Sequence, residues 1–148
     1  MRFTLLAFAL VALFGCAGSK EKPATPPGAV SKTLYEELGG TAGITKVVDA
    51  FLARINGDAR INTLFAKTDH NDLRRLVIEQ LCEATGGPCK YTGRSMEEAH
   101  SGLNLTNADF DAFVGDLVAT MDQLKVPKAQ QNKLLALLSP MRPQIVGQ

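Results

Sequence analysis

The sequence predicts an all-α protein, and three observations carry the prediction. From Thr33 onward apolar residues recur every three or four positions, three Ser/Thr-x-x-acid capping boxes open segments of that rhythm, and nothing in residues 33–148 alternates with a period of two. Four substantial helices and two or three short ones are expected around one core.

The chain opens with Met1-Arg2, a nearly unbroken apolar run from Phe3 to Phe14, and Gly15-Cys16. That run is too short to cross a bilayer core as a helix, which takes about 20 residues. A basic start, a short apolar middle and a small residue before the cut describe a signal peptide over residues 1–15. Its ending, Leu13-Phe14-Gly15-Cys16, resembles the lipobox of bacterial lipoproteins. The resemblance implies that Cys16 is acylated as the first mature residue and anchors the protein in the cell envelope. Ala17 in place of Asp implies the outer membrane, facing the periplasm. The alternative is an ordinary secreted protein cut after Gly15 or Ala17. Residues 16–32 turn to Lys, Pro, Ala, Gly, Ser and Thr, which bury too little apolar surface to offset ordering entropy, so a flexible tether is expected.

The domain spans residues 33–148. Of 16 basic and 15 acidic residues, Arg2, Lys20, Lys22 and Lys32 and a single acid, Glu21, precede it, so it carries 12 against 14 and is slightly acidic. With no cationic stripe, nucleic-acid binding is not expected. Thr33-Leu-Tyr-Glu36 caps a helix of little more than one turn, stopped by Gly39-Gly40. A long helix over 41–56 follows, with Ile44, Val47, Val48, Phe51, Leu52 and Ile55 on one side, ended by Asn56-Gly57. After an irregular piece holding Ile61, Leu64 and Phe65, a helix over 72–85 carries Leu73, Leu76, Val77, Gln80, Leu81 and Ala84 up to Gly86-Gly87-Pro88. Ser95-Met-Glu-Glu98 opens a short helix with Met96, His100 and Leu103, and Thr106-Asn-Ala-Asp109 opens a long one with Phe110, Phe113, Val114, Leu117, Val118, Met121 and Leu124. Pro127 suits the first turn of the last helix, which Pro140 and Pro143 are expected to kink or fray.

Imidazole chemistry must rest on His70 or His100, and Cys16, Cys82 and Cys89 match no zinc pattern. Cys82 and Cys89 flank the Gly86-Gly87 reversal. In the oxidising compartment a signal peptide implies, they are expected to form a disulfide. The domain has four Phe and no Trp, yet its helices carry wide apolar faces. Either something large and apolar completes the core, or the helices form a plain bundle packed on itself.

Several segments together resemble one known family. Leu34-Tyr-Glu-Glu-Leu-Gly-Gly40, Val47-Val-Asp-Ala-Phe51, Leu64-Phe65, Ala84-Thr-Gly-Gly-Pro88, Tyr91-Thr-Gly93, Met96-Glu-Glu-Ala-His100 and Asp109-Phe110 are similar, in order and spacing, to the group I truncated haemoglobins. The resemblance runs from about Leu34 to Ile145. It implies a shortened globin fold, two helices over two, enclosing haem b, with the helices at 41–56 and 72–85 as the distal wall. His100 matches the proximal ligand to iron, and Met96 and Leu103 on its helix face would pack on the porphyrin. Phe65 matches the phenylalanine at the haem edge, and Thr68, Arg74 and Arg75 lie near where the family contacts the propionates.

On the distal side the family's usual tyrosine position matches Leu52, and the two distal-helix positions nearest the iron match Leu73 and Val77. All three are apolar, so oxygen lacks its usual hydrogen-bond donors, and carbon monoxide and nitric oxide are favoured. Gln80 shares the face of Leu73 and Val77 and is the polar residue on it. It either reaches the ligand or a pocket water, or lies at the helix flank beside solvent. His70 is read as a surface or cap residue, because a second iron ligand from this helix would match Leu76. The activity implied is reversible binding of a diatomic gas. Oxidation of nitric oxide is an open use that would need an external reductant. The rival is a haem-free helical lipoprotein acting as an interaction or structural module.

Overall fold

A computed structural model describes residues 31–148. The expected signal peptide, Cys16 and all of the expected tether except Ser31 and Lys32 lie outside the described residues.

Every capping box in the domain forms. Thr33 and Glu36 exchange bonds at the start of α1 (Leu34–Glu37). Ser95 and Glu98 do the same for α4 (Met96–His100), and Thr106 and Asp109 for α5 (Asn107–Gln123). In each the hydroxyl accepts from the third backbone N–H while the carboxylate accepts from the cap's own, satisfying two donors that a helix start otherwise leaves unpaired. α2 (Gly40–Gly57) starts at Gly39, whose φ of 86° places it in the left-handed region glycine tolerates. α3 (His70–Ala84) begins two residues before the expected start because the Asp69 side chain accepts from Asn71 and Asp72. A 3-10 turn (Asn62–Phe65) lies between α2 and α3.

The C-terminal segment differs from a single kinked helix. α6 (Lys128–Leu138) begins after Pro127 and ends before Pro140, and Ser139–Gln144 form a separate 3-10 turn. A proline has no N–H to donate and crowds the preceding turn, so Pro140 and Pro143 divide the segment rather than bend it. There is no strand among the described residues.

α2 is the centre of the fold. Ile44, Val47, Val48, Phe51 and Ile55 are all buried on one stripe, with α3 packed on one flank and α5 on the other. Ile61, Leu81, Cys82, Ala112, Leu117, Met121 and Leu134 close the core around it. Phe51 meets Phe113 edge-on, ring centres 4.8 Å apart. Buried Gln131 is satisfied by Asp122 and the Val126 carbonyl, which joins the end of α5 to α6.

Candidate functional site

α4 is five residues long, and its last residue is the histidine. Nδ1 of His100 lies 2.6 Å from the Met96 carbonyl oxygen. A carbonyl can only accept, so Nδ1 carries a proton, and in the neutral ring Nε2 then keeps its lone pair, the tautomer that a metal ligand requires. Among the described residues no group of three or more His, Cys, Asp or Glu side chains could hold a metal ion. A metal at His100 therefore suits a cofactor that supplies most of its own ligands.

Several apolar residues of α3, α4 and the C-terminal segment lie outside the closed core. Leu73 and Leu76 on α3, Met96 on α4, and Met141 and Ile145 near the C-terminus are half-buried, and none of them belongs to the packed cluster around α2. Leu52, Phe65 and Val77 are half-buried at that cluster's margin. Leu103 is 49% exposed. Half-buried aliphatic and thioether side chains left outside the closed core, and an imidazole whose Nδ1 is fixed by a carbonyl, are two features a haem uses in a protein, and these residues fit one.

The polar residues sort differently. Gln80 Nε2 lies 3.3 Å from Met96 Sδ and 3.7 Å from Met141 Sδ. The amide thus spans α3, α4 and the C-terminal turn, an arrangement neither expected reading described. Arg74 is engaged by Asp49 through two bonds of 2.5 and 3.0 Å, which hold that carboxyl below its usual range. A propionate contact by Arg74 would compete with this pair. Arg75 is taken by Asp72, Glu79 and Thr92. Thr68 is half-buried, and its N–H donates to the Phe65 carbonyl, closing the turn that holds Phe65. His70 is exposed at the first position of α3.

Two contacts hold the segment joining α3 to α4, and neither was legible in the sequence. Glu79 accepts from both the N–H and the hydroxyl of Thr92, and Glu83 accepts from the Tyr91 N–H and from Lys90. Met141 was also missed. The one signal for it was that a lone amide on an apolar face must find partners. Cys82 and Cys89 are joined as expected, Cα atoms 5.7 Å apart. A Cβ on Gly87 would stand 2.7 Å from Cys82 Sγ and 2.5 Å from the Tyr35 ring, so the bond depends on glycine there.

Helices of these lengths, in this order, with one histidine closing the short helix before the last two, define a truncated globin. Residues 33–146 match the family model for bacterial-like globins. The group 1 truncated hemoglobin of Tetrahymena pyriformis is 34% identical over 116 residues, which are 78% of this chain and 96% of that one. That of Synechocystis is 42% identical over 100 residues, 65% of this chain and 81% of its own. The crystal structure of the Tetrahymena pyriformis protein in its Fe(III) form superposes with a TM-score of 0.76 at 33% identity, covering 79% of this chain and all of that one. A 2/2 hemoglobin from Synechococcus, in the cyanomet state with covalently attached heme, gives 0.74 at 28% identity, with 79% and 100% covered. The chain belongs to the bacterial-like globin family, whose usual cofactor is haem b and whose ligands are diatomic gases.

Proposed function

We propose that this chain holds haem b through Nε2 of His100 and binds a diatomic gas reversibly at the bacterial cell envelope. The reading rests on the bond from His100 Nδ1 to the Met96 carbonyl, which leaves the other ring nitrogen available to a metal, and on the half-buried apolar residues that the core does not take up. When bound, haem would supply an iron that can bind a gas.

The chain's own residues do the rest. The Met96 carbonyl fixes the orientation of the His100 ring, as an outer hydrogen-bond partner does for a metal-ligating imidazole. Phe65 and Met96 supply apolar contact, and Thr68 and Arg74 stand near the expected rim, Arg74 shared with Asp49. Leu52, Leu73 and Val77 exclude water and can neither donate a hydrogen bond nor move a proton. Carbon monoxide and nitric oxide are therefore favoured over dioxygen, which usually relies on such donors. The same wall favours ligand binding over peroxidase-like chemistry. Oxidation of nitric oxide would draw on an external reductant.

Protein expressed with haem available should show a strong Soret band that His100→Ala removes or shifts. No band after reconstitution, or indifference to that substitution, favours a haem-free helical lipoprotein serving as an interaction module. The envelope location is supported by the apolar leader and the Leu13-Phe14-Gly15-Cys16 ending, which direct Cys16 to acylation and the domain to the periplasmic side of the outer membrane. Cells fed labelled palmitate should label this protein, and Cys16→Ala should abolish the label. Retained label in that variant would remove the anchor.

A further inference from the structure

α4 carries the histidine but cannot hold itself in place. A helix of five residues lies far below the length at which backbone bonding alone is stable in water. None of its residues is buried, and beyond it the Ser101 N–H makes no cap bond, leaving one backbone bond, from the Leu103 N–H to the His100 carbonyl, at its end. Its position depends largely on side-chain contacts that hold it there.

Two sets of contacts do so. The Ser95–Glu98 box and a bond from Arg94 to the Glu98 carbonyl act within the segment itself. The tie from outside is Gln80, whose amide N–H group meets the thioethers of Met96 at 3.3 Å and Met141 at 3.7 Å. A thioether accepts weakly, and sulfur cannot donate, so the amide nitrogen is the donor in both contacts. The residue it grips is the one whose carbonyl accepts the hydrogen bond from His100 Nδ1. The path from α3 to the imidazole is therefore short: amide, thioether, one backbone carbonyl, ring.

We infer that Gln80 is a positioning residue for His100, fixing Met96 so that the Met96 carbonyl stays aligned with Nδ1. This rests on His100 being the iron ligand. The amide acts on the proximal ligand from the distal helix, and its place on the face of Leu73 and Val77 links the two walls rather than serving the gas.

The test compares Gln80→Leu, Met96→Leu and the double variant in the full-length protein as isolated. Two readouts are used. Amide exchange over residues 96–100 should speed about twofold in each single variant, the effect of losing a hydrogen bond at the weak end of the range, and no further in the double variant. In haem-loaded ferrous protein, the iron–histidine stretching band should move to lower frequency in both single variants, again without adding. Gln80→Glu, equal in size but without a donor when ionised, should reproduce Gln80→Leu. An unchanged stretching band with unchanged exchange overturns the inference. So does an altered gas dissociation rate with the band unmoved, which would turn the amide toward the ligand. Failure of the haem reading looks different: the wild-type Soret band is absent or insensitive to His100→Ala, while exchange in α4 still reports the Gln80–Met96 tie.

Discussion

Phe51 shows how much one residue carries here. It is 1% exposed at the middle of α2, and its ring takes the edge of Phe113 from α5. Phe51→Ala removes that contact and leaves a cavity at the crossing of three helices, so it should cost about 3–5 kcal/mol in denaturant unfolding. The helical spacing marked Phe51 as a core residue, and likewise Ile44, Val48 and Ile55, because burial on a stripe is a property of periodicity. His100 was legible for another reason, its place in Met96-Glu-Glu-Ala-His100. The partners of polar side chains were not. Nothing in the sequence pairs Arg74 with Asp49, 25 residues away, or buries Asp116 on α5, where burial and the neighbouring Asp58 raise its carboxyl pKa. Such pairings depend on which helix faces come together.

Among the elements, α3 and the segment after it depend on two carboxylates. Bonds from Thr92 and Arg75 hold the Glu79 carboxyl below its ordinary value, and the Tyr91 N–H and Lys90 do the same for Glu83. Folded values below the unfolded one mean that the stabilisation is complete above the ordinary value of 4.5 and is lost as pH falls through the folded values. Glu79→Gln should therefore lower the melting temperature at neutral pH, with the gap to wild type closing in acid. An equal gap at pH 7 and in acid would show that the charge is not what holds Thr92. The helix starts were legible almost to the residue, since Thr33, Ser95 and Thr106 each carry an acid three positions on and the interaction is local. The end of α6 was less so. Two prolines signal a break, but whether the chain bends or restarts as a 3-10 turn depends on what it packs against. Here Arg142 lies 4.2 Å over the Phe110 ring and donates to Asn107, tying the turn to the start of α5.

For the whole molecule, the Cys82–Cys89 bond closes the end of α3 onto the segment leading to the histidine. Cys82 is fully buried against the core, and Gly87 N–H returns to the Cys82 carbonyl at 2.8 Å, so the turn is held by backbone and sulfur together. Closing a loop this short restricts the unfolded chain by about 2.5 kcal/mol on a chain-entropy estimate. Replacing both cysteines by serine should lower unfolding stability by about that amount, more if a buried hydroxyl at 82 goes unpaired. The native protein should weigh two hydrogens less than the reduced one. Two alkylatable thiols in freshly isolated protein would refute the bond.

Sequence alone determined the all-helical class, the caps and the core stripe of α2, because each is written in local spacing; it also singled out the Cys82–Cys89 pair and, through the family resemblance, His100 as the candidate ligand. Tertiary structure decided where Gln80 points, what Arg74 and Arg75 are bound to, and how α4 is held. Those depend on side chains from separate helices meeting at particular distances, and a hydrogen bond exists only where donor and acceptor are brought within reach.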